Sequence, residues 1–183
     1  MSNEFGKAMG RKPLMANQLN LSRRRRRVLH IGEMYFGSGE TWLETRLGSC
    51  ISIVLWFPQA GKGGICHFLL PFKRMPVKNT GSLNGRYGNE AWNWLNQQVS
   101  KNGLSLGEAK IKLFGGACSI SCSTKTHPYS VGEQNVQFVE TLMERAGVQV
   151  LSRCLGGTGS RFIRFDLATG DVWVRRLTRT LDE

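Results

Sequence analysis

The chain contains no apolar run approaching the roughly 18 residues needed to cross a bilayer, so no integral membrane segment is expected. Residues 1–21 hold no apolar core of the kind that drives secretion, so no export signal is expected either. Acidic side chains are few: 13 Asp+Glu stand against 25 Lys+Arg, a formal net charge of +12. The five cysteines (50, 66, 118, 122 and 154) form an odd set with no secretory leader. That pattern argues against a disulfide framework and for reduced thiols in a cytoplasm. Cys118 and Cys122 are four apart, but no second Cys/His pair at zinc-ligand spacing follows. His127 is the one available third ligand, so no metal site is expected under the usual four-ligand rule.

What is present fits a globular domain. The length of 183 residues suits one domain with a real core. Hydrophobic residues make up 40% and charged residues 21%, close to a folded average and away from a disordered composition. The charge is uneven: residues 1–27 hold eight basic side chains and one acid, a net +7. They are polar, without steady periodicity, and read as a flexible basic arm ahead of a domain at 28–183. The run Arg23 to Arg27 has no aromatic residues interleaved. A solvated tail is therefore favoured over a nucleic-acid or anionic-lipid contact, and no nucleic-acid partner is expected.

Order is expected from Val28. Strands are read at Val28–Ile31, Thr41–Leu47, Ile51–Phe57 and Gly64–Leu70, the last two joined by the turn Pro58 to Gly63. Asn89–Ser100 reads as a helix with Ala91, Trp92, Leu95 and Val99 on one face. Ala109–Phe114 alternates like a strand. Glu133–Ala146 is the clearest helix, with Val136, Val139, Leu142, Met143 and Ala146 in helical period and Gly147 past its end. Strands follow at Val148–Leu155, Arg161–Asp166 and Asp171–Leu177, the last two forming a hairpin around Ala168-Thr169-Gly170. Hairpins outnumber strand–helix–strand units. The fold class is thus α/β, a mixed, largely antiparallel sheet system with two main helices packed on it.

The chemically informative stretch is Thr45-Arg46-Leu47-Gly48-Ser49-Cys50, answered by Gly63-Gly64-Ile65-Cys66-His67-Phe68. Small residues before Cys50 let backbone approach a ligand and leave N–H groups free. His67 falls on the return strand of the proposed hairpin, where it can reach Cys50 and activate the thiol. The plainer readings are a small buried Cys and a satisfied core histidine. His30 and His127 are the competing bases.

These residues resemble the CheD chemoreceptor glutamine deamidases of bacterial chemotaxis. The resemblance is carried by Leu47-Gly48-Ser49-Cys50-Ile51, Gly64 to Pro71, Lys112 to Ala117, Gly132 to Asn135, Gly156 to Arg161 and Ala168-Thr169-Gly170, from about residue 28 to about 178. It implies a scaffold similar to the catalytic domain of cytotoxic necrotizing factor toxins. It further implies Cys50 as nucleophile, His67 as general base and acid, and a Thr a few residues before the Cys that orients the His. Thr45 is assigned that place, with its neighbour Glu44 the other residue at this point. Gly48, Ser49, Gly115 and Gly116 are the expected substrate-binding positions, although tight turns account equally well for the glycine pairs. The implied reaction converts receptor glutamine to glutamate through a thioester, without metal or organic cofactor. The implied partners are the cytoplasmic helical bundle of methyl-accepting chemotaxis receptors and, in some members, a CheC-type phosphatase. The chain is taken as a cytoplasmic monomer. The alternatives are a receptor- or phosphatase-binding module without turnover, motivated by Glu44, a nucleic-acid binder acting through Arg23 to Arg27, and a cysteine protease or transglutaminase.

Overall fold

The computed structural model describes residues 24–73, 82–118 and 130–177. Nine strands and two helices follow in the order β1 (Arg25–Val28), β2 (Met34–Ser38), β3 (Thr41–Leu47), β4 (Ile51–Phe57), β5 (Lys62–Cys66), α1 (Gly88–Lys101), β6 (Lys110–Gly115), α2 (Val131–Arg145), β7 (Val150–Leu155), β8 (Ser160–Asp166) and β9 (Val172–Leu177). They form a four-stranded sheet ordered β1-β3-β8-β9 and a five-stranded sheet ordered β2-β5-β4-β6-β7. Five of the seven strand pairings are antiparallel; β1–β3 and β6–β7 are parallel. The mixed, largely antiparallel α/β architecture with two helices is thus what the chain adopts.

Side-chain alternation on β4 explains the layering. Ile51, Ile53, Leu55 and Phe57 share one core with Ala91, Trp92, Leu95 and Val99 of α1 and Val139 and Met143 of α2. Val54, on the other face, joins Leu43, Leu47, Cys50, Ile65, Phe114, Ile163 and Phe165 in a second core between the two sheets. The five-stranded sheet is therefore a middle layer, buried on both faces. That is why β4 is a nearly continuous apolar run rather than an alternating one. Helix α2 starts with a capping box: Ser130 Oγ accepts from Glu133 N, and Glu133 Oε2 accepts from Ser130 N at 2.7 Å.

Several boundaries differ from expectation. The first strand begins at Arg25, so the arm boundary at residue 27 is corrected: Arg25 to Arg27 belong to the folded unit. Here the arginines do meet aromatic rings. Arg24 and Arg164 lie over Trp42 at 5.7 and 4.5 Å, and Arg27 lies over Tyr35 at 5.0 Å. Arg24 also pairs with Asp166. The strand read at Gly64–Leu70 lies at Lys62–Cys66, with an isolated bridge between Ile51 and Phe68 beyond it. Strand β2 was not anticipated; Gly37 interrupts its apolar pattern, and it forms an edge held by β5.

Leu55 is fully buried against the helices, whereas Leu151 on β7 is exposed. Leu55→Ala is expected to cost about 2–5 kcal/mol in urea unfolding. Leu151→Ala should change it by less than about 0.5 kcal/mol. Equal losses would contradict the layered core.

Candidate active site

The site forms where the two sheets face each other at the start of β4. Thr45 lies on β3 between Leu43 and Leu47 and, like them, is buried toward the second sheet. Its Oγ1 stands 2.8 Å from the Leu29 carbonyl and 2.8 Å from His67 Nδ1. A hydroxyl carries one hydrogen, and a carbonyl oxygen can only accept. That hydrogen therefore goes to Leu29, so Oγ1 accepts from the ring and Nδ1 carries the imidazole proton. The tautomer is fixed by this network. Nε2 keeps its lone pair and, buried, has no hydrogen-bond partner among the described residues.

The backbone around His67 is pinned on both sides. Its N–H donates to Glu33 O at 3.0 Å and its carbonyl accepts from Gly32 N at 2.7 Å. Phe68 exchanges both hydrogen bonds with Ile51, at 3.1 and 2.9 Å. This bridge continues the β4–β5 register, in which Val54 faces Ile65. Extended by one step, the register sets Cys50 opposite Leu69 and Ser52 opposite His67. Cys50 and His67 are thus diagonal neighbours on the face turned to the first sheet. Such neighbours lie about 7–8 Å apart at Cα and closer at Cβ, a span that a thiol and an imidazole can close.

Cys50 is 7% exposed and His67 3%. Burial pushes the Cys50 thiol up from its ordinary pKa, opposed by its own backbone amide. Burial likewise pushes His67 down, with the Leu29 carbonyl raising it, His30 lowering it and Glu33 raising it. Both shifts favour the uncharged forms of the two groups. Cys66, one residue before His67, belongs to the helix-side core and its thiol is pushed up to about 12 by burial. It is chemically a hydrophobe.

Glu44 does not face the imidazole. It points to the outer face of β3, where Arg26 donates to Oε2 at 2.7 Å and Arg164 to Oε1 at 2.6 Å. Burial raises its pKa, but the hydrogen bonds and charges of the two arginines outweigh this and hold the carboxyl below its usual range. The pair of arginines ties β1 and β8 across β3, and with them the Leu29 carbonyl that follows β1. His30 is exposed. Cys122 and His127 lie outside the described residues. Among the described residues no three His, Cys, Asp or Glu side chains converge as a metal site.

The glycines serve close approach. Gly115 has φ +114°, and a Cβ there would fall 2.0 Å from the Cys50 carbonyl oxygen. Gly116 N donates to that oxygen at 2.8 Å, and Ala117 N donates to Gly48 O at 2.8 Å. The chain before Cys50 is thereby laced to the end of β6. Gly116 also borders a groove of about 550 Å³, lined further by Gly156, Gly157, Thr158, Val136 and Gln137. Gly48 contributes its carbonyl to this lacing, whereas the Ser49 carbonyl accepts from Asn135 of α2.

Two residues at the site were not singled out from the sequence. Arg161 is buried, donates to the carbonyls of Gly115 and Gly156, and pairs with no carboxylate among the described residues. It holds the ends of β6 and β7 together. Its signal was available: it alternates with Ile163 and Phe165, so it faces inward. Asn135 is fully buried, and its Nδ2 donates to Ser49 O at 2.8 Å and Leu69 O at 2.9 Å. Its signal was a polar residue at helical spacing from Val139 and Met143 on the buried face of α2.

The model of the family described as "CheD chemotactic sensory transduction" matches residues 69–176. A Chromobacterium violaceum protein named "Probable chemoreceptor glutamine deamidase CheD 1" is 39% identical over 148 residues, 81% of this chain and 76% of the relative. A Dechloromonas aromatica protein named "Probable chemoreceptor glutamine deamidase CheD 3" is 37% identical over 80% of this chain and 84% of the relative. A relative from Pseudomonas savastanoi pv. phaseolicola, named "Probable chemoreceptor glutamine deamidase CheD", is 38% identical over 81% of this chain and 82% of its own length. With a family model matching more than half of the chain and relatives of this identity and coverage, the chain belongs to the CheD family.

Proposed function

We propose that this chain hydrolyses glutamine side chains of chemotaxis receptors to glutamate, with Cys50 as nucleophile, His67 as base and acid, and Thr45 as the residue that orients His67. The observation that carries this reading is the Thr45–His67 hydrogen bond, which leaves Nε2 bare on the face that Cys50 shares. In the reaction, the Cys50 S–H proton passes to Nε2 as sulfur attacks the carboxamide carbon. The oxyanion is held by backbone N–H groups that include that of Cys50; one such donor is typically worth about 100- to 1000-fold. The tetrahedral adduct collapses, and the imidazolium gives its proton to the departing nitrogen, which leaves as ammonia. Water then loses a proton to Nε2, attacks the thioester carbon, and returns the thiol and a glutamate carboxylate.

In this proposal the enzyme works in the cytoplasm as a monomer, without metal or organic cofactor, on the cytoplasmic helical bundle of methyl-accepting receptors. A CheC-type phosphatase is the further partner. Gly48, Ser49, Gly115 and Gly116 shape the backbone that receives the amide, on a scaffold similar to the cytotoxic necrotizing factor catalytic domain. The reading of a binding module without turnover loses its motive, because Glu44 is engaged by Arg26 and Arg164 on the far face of β3.

Purified protein is expected to release ammonia from receptor fragments and to add about one dalton per converted glutamine, as NH₂ is replaced by OH. Cys50→Ala should abolish both changes while remaining folded, and Cys66→Ala should keep most activity. Equal ammonia release from wild type and Cys50→Ala would remove the reading.

General base catalysis by a positioned His is worth about 100- to 10,000-fold, and loss of the tautomer-fixing contact forfeits part of that. Thr45→Val should lower kcat about 10- to 1000-fold, and Thr45→Ser, which keeps the hydroxyl, should recover most of it. A serine variant as slow as the valine variant would argue against an orienting hydroxyl.

The acid limb of kcat/KM reports protonation of His67, which must be neutral to accept the thiol proton. Because burial depresses its pKa, activity should persist as pH falls through the ordinary histidine value of about 6.5 and fail only below it. A limb centred above that value would contradict a buried neutral base.

A further inference from the structure

We infer that Asn135 is a positioning residue for the reaction, a two-pronged clasp that sets the spacing between the Cys50 and His67 arms. This inference rests on the proposed roles of those two residues and goes beyond them. Cys50 and His67 lie on different strands, and their separation depends on how the segment before β4 sits against the segment after β5. Those segments end in Ser49 and Leu69, each one or two residues from a reacting group. Asn135 Nδ2 donates to both of their carbonyls, at 2.8 and 2.9 Å.

The chemistry of the bridge is selective. Both acceptors are carbonyl oxygens, so the bridging group must present two N–H bonds from one atom. A neutral carboxamide does this; a hydroxyl supplies one donor and a carboxylate none. The assignment of Nδ2 and Oδ1 is also fixed, because a flipped amide would aim oxygen at two oxygens. Oδ1 itself is buried and has no hydrogen-bond partner among the described residues. Leaving such a group unpaired is costly, about 1–3 kcal/mol. Helix stability alone gives no reason for a carboxamide on a face that otherwise carries Val139 and Met143. Geometry at the thiol does: a misplacement of about 1 Å between reacting groups can cost about 100-fold.

The test compares kcat and KM for wild type, Asn135→Asp, Asn135→Ala and Val139→Ala. Val139 is fully buried on the same helix, one turn on, in the helix-side core, and its side chain can make no hydrogen bond to either of the carbonyls that Asn135 joins. Buried, the Asp side chain is protonated and keeps one donor; Ala keeps none. The kcat values should fall in the order of donors, about tenfold for Asp and up to about 100-fold for Ala, with KM within about twofold. Val139→Ala should lower thermal stability and leave kcat within about twofold. If Asn135→Ala does not fold, Asn135→Asp, nearly isosteric, carries the comparison. An Asn135 variant with wild-type kcat, or a loss matched by Val139→Ala at equal stability loss, would overturn the clasp. Cys50→Ala distinguishes the two levels. If it is inactive while Asn135→Ala is unimpaired, only the clasp fails; if it retains full ammonia release, the catalytic reading and the clasp fail together.

Discussion

The geometry of this site depends on one hydroxyl hydrogen. Thr45 has a single proton to donate, and the Leu29 carbonyl takes it. Everything chemical about His67 follows. Its Nδ1 must be the protonated nitrogen, its ring plane is set, and its other nitrogen is left bare in a buried space. The contact crosses between the two sheets, so the tautomer is set by tertiary packing and not by the hairpin that carries the histidine. The Glu44 ion pairs outside β3 belong to the same device. They hold β1 and β8 against β3, and β1 leads directly into Leu29.

The second constraint is the double burial of the middle sheet. Its helix-side face is filled by aliphatic and aromatic side chains from α1 and α2. Its other face supplies Cys50 and His67 to the gap between sheets. Burial there raises the thiol and lowers the imidazole, which favours the uncharged form of each. A neutral pair avoids the desolvation cost of a buried ion pair and creates charge only as the proton moves. The glycines at the end of β6 let two backbones meet at the Cys50 carbonyl, and the buried Arg161 ties the ends of β6 and β7 behind it.

Much of this was legible from residue order. Ile51–Phe57 was read to the residue because its apolar run has no other reading at that length. The helices were read within two residues, since their buried positions keep strict period. Arg25 to Arg27 were misread as part of an arm because three arginines carry no strand pattern; their partners, Glu44, Trp42 and Tyr35, are distant in sequence or on other strands. The choice between Glu44 and Thr45 was open for the same reason. Adjacent residues on a strand face opposite ways, and only the sheet-to-sheet packing says which way is inward. Asn135 and Arg161 were missed: each is a polar residue in an apolar period, a signal that marks burial without naming the partner.

Nitrogen NMR of the His67 imidazole in the intact protein tests the central claim most directly. At neutral pH it should show a protonated Nδ1 and a bare Nε2, and the Nδ1 proton should be lost from view in the Thr45→Val protein. A ring protonated on Nε2, or one doubly protonated at neutral pH, would leave no base facing Cys50 and would contradict the account.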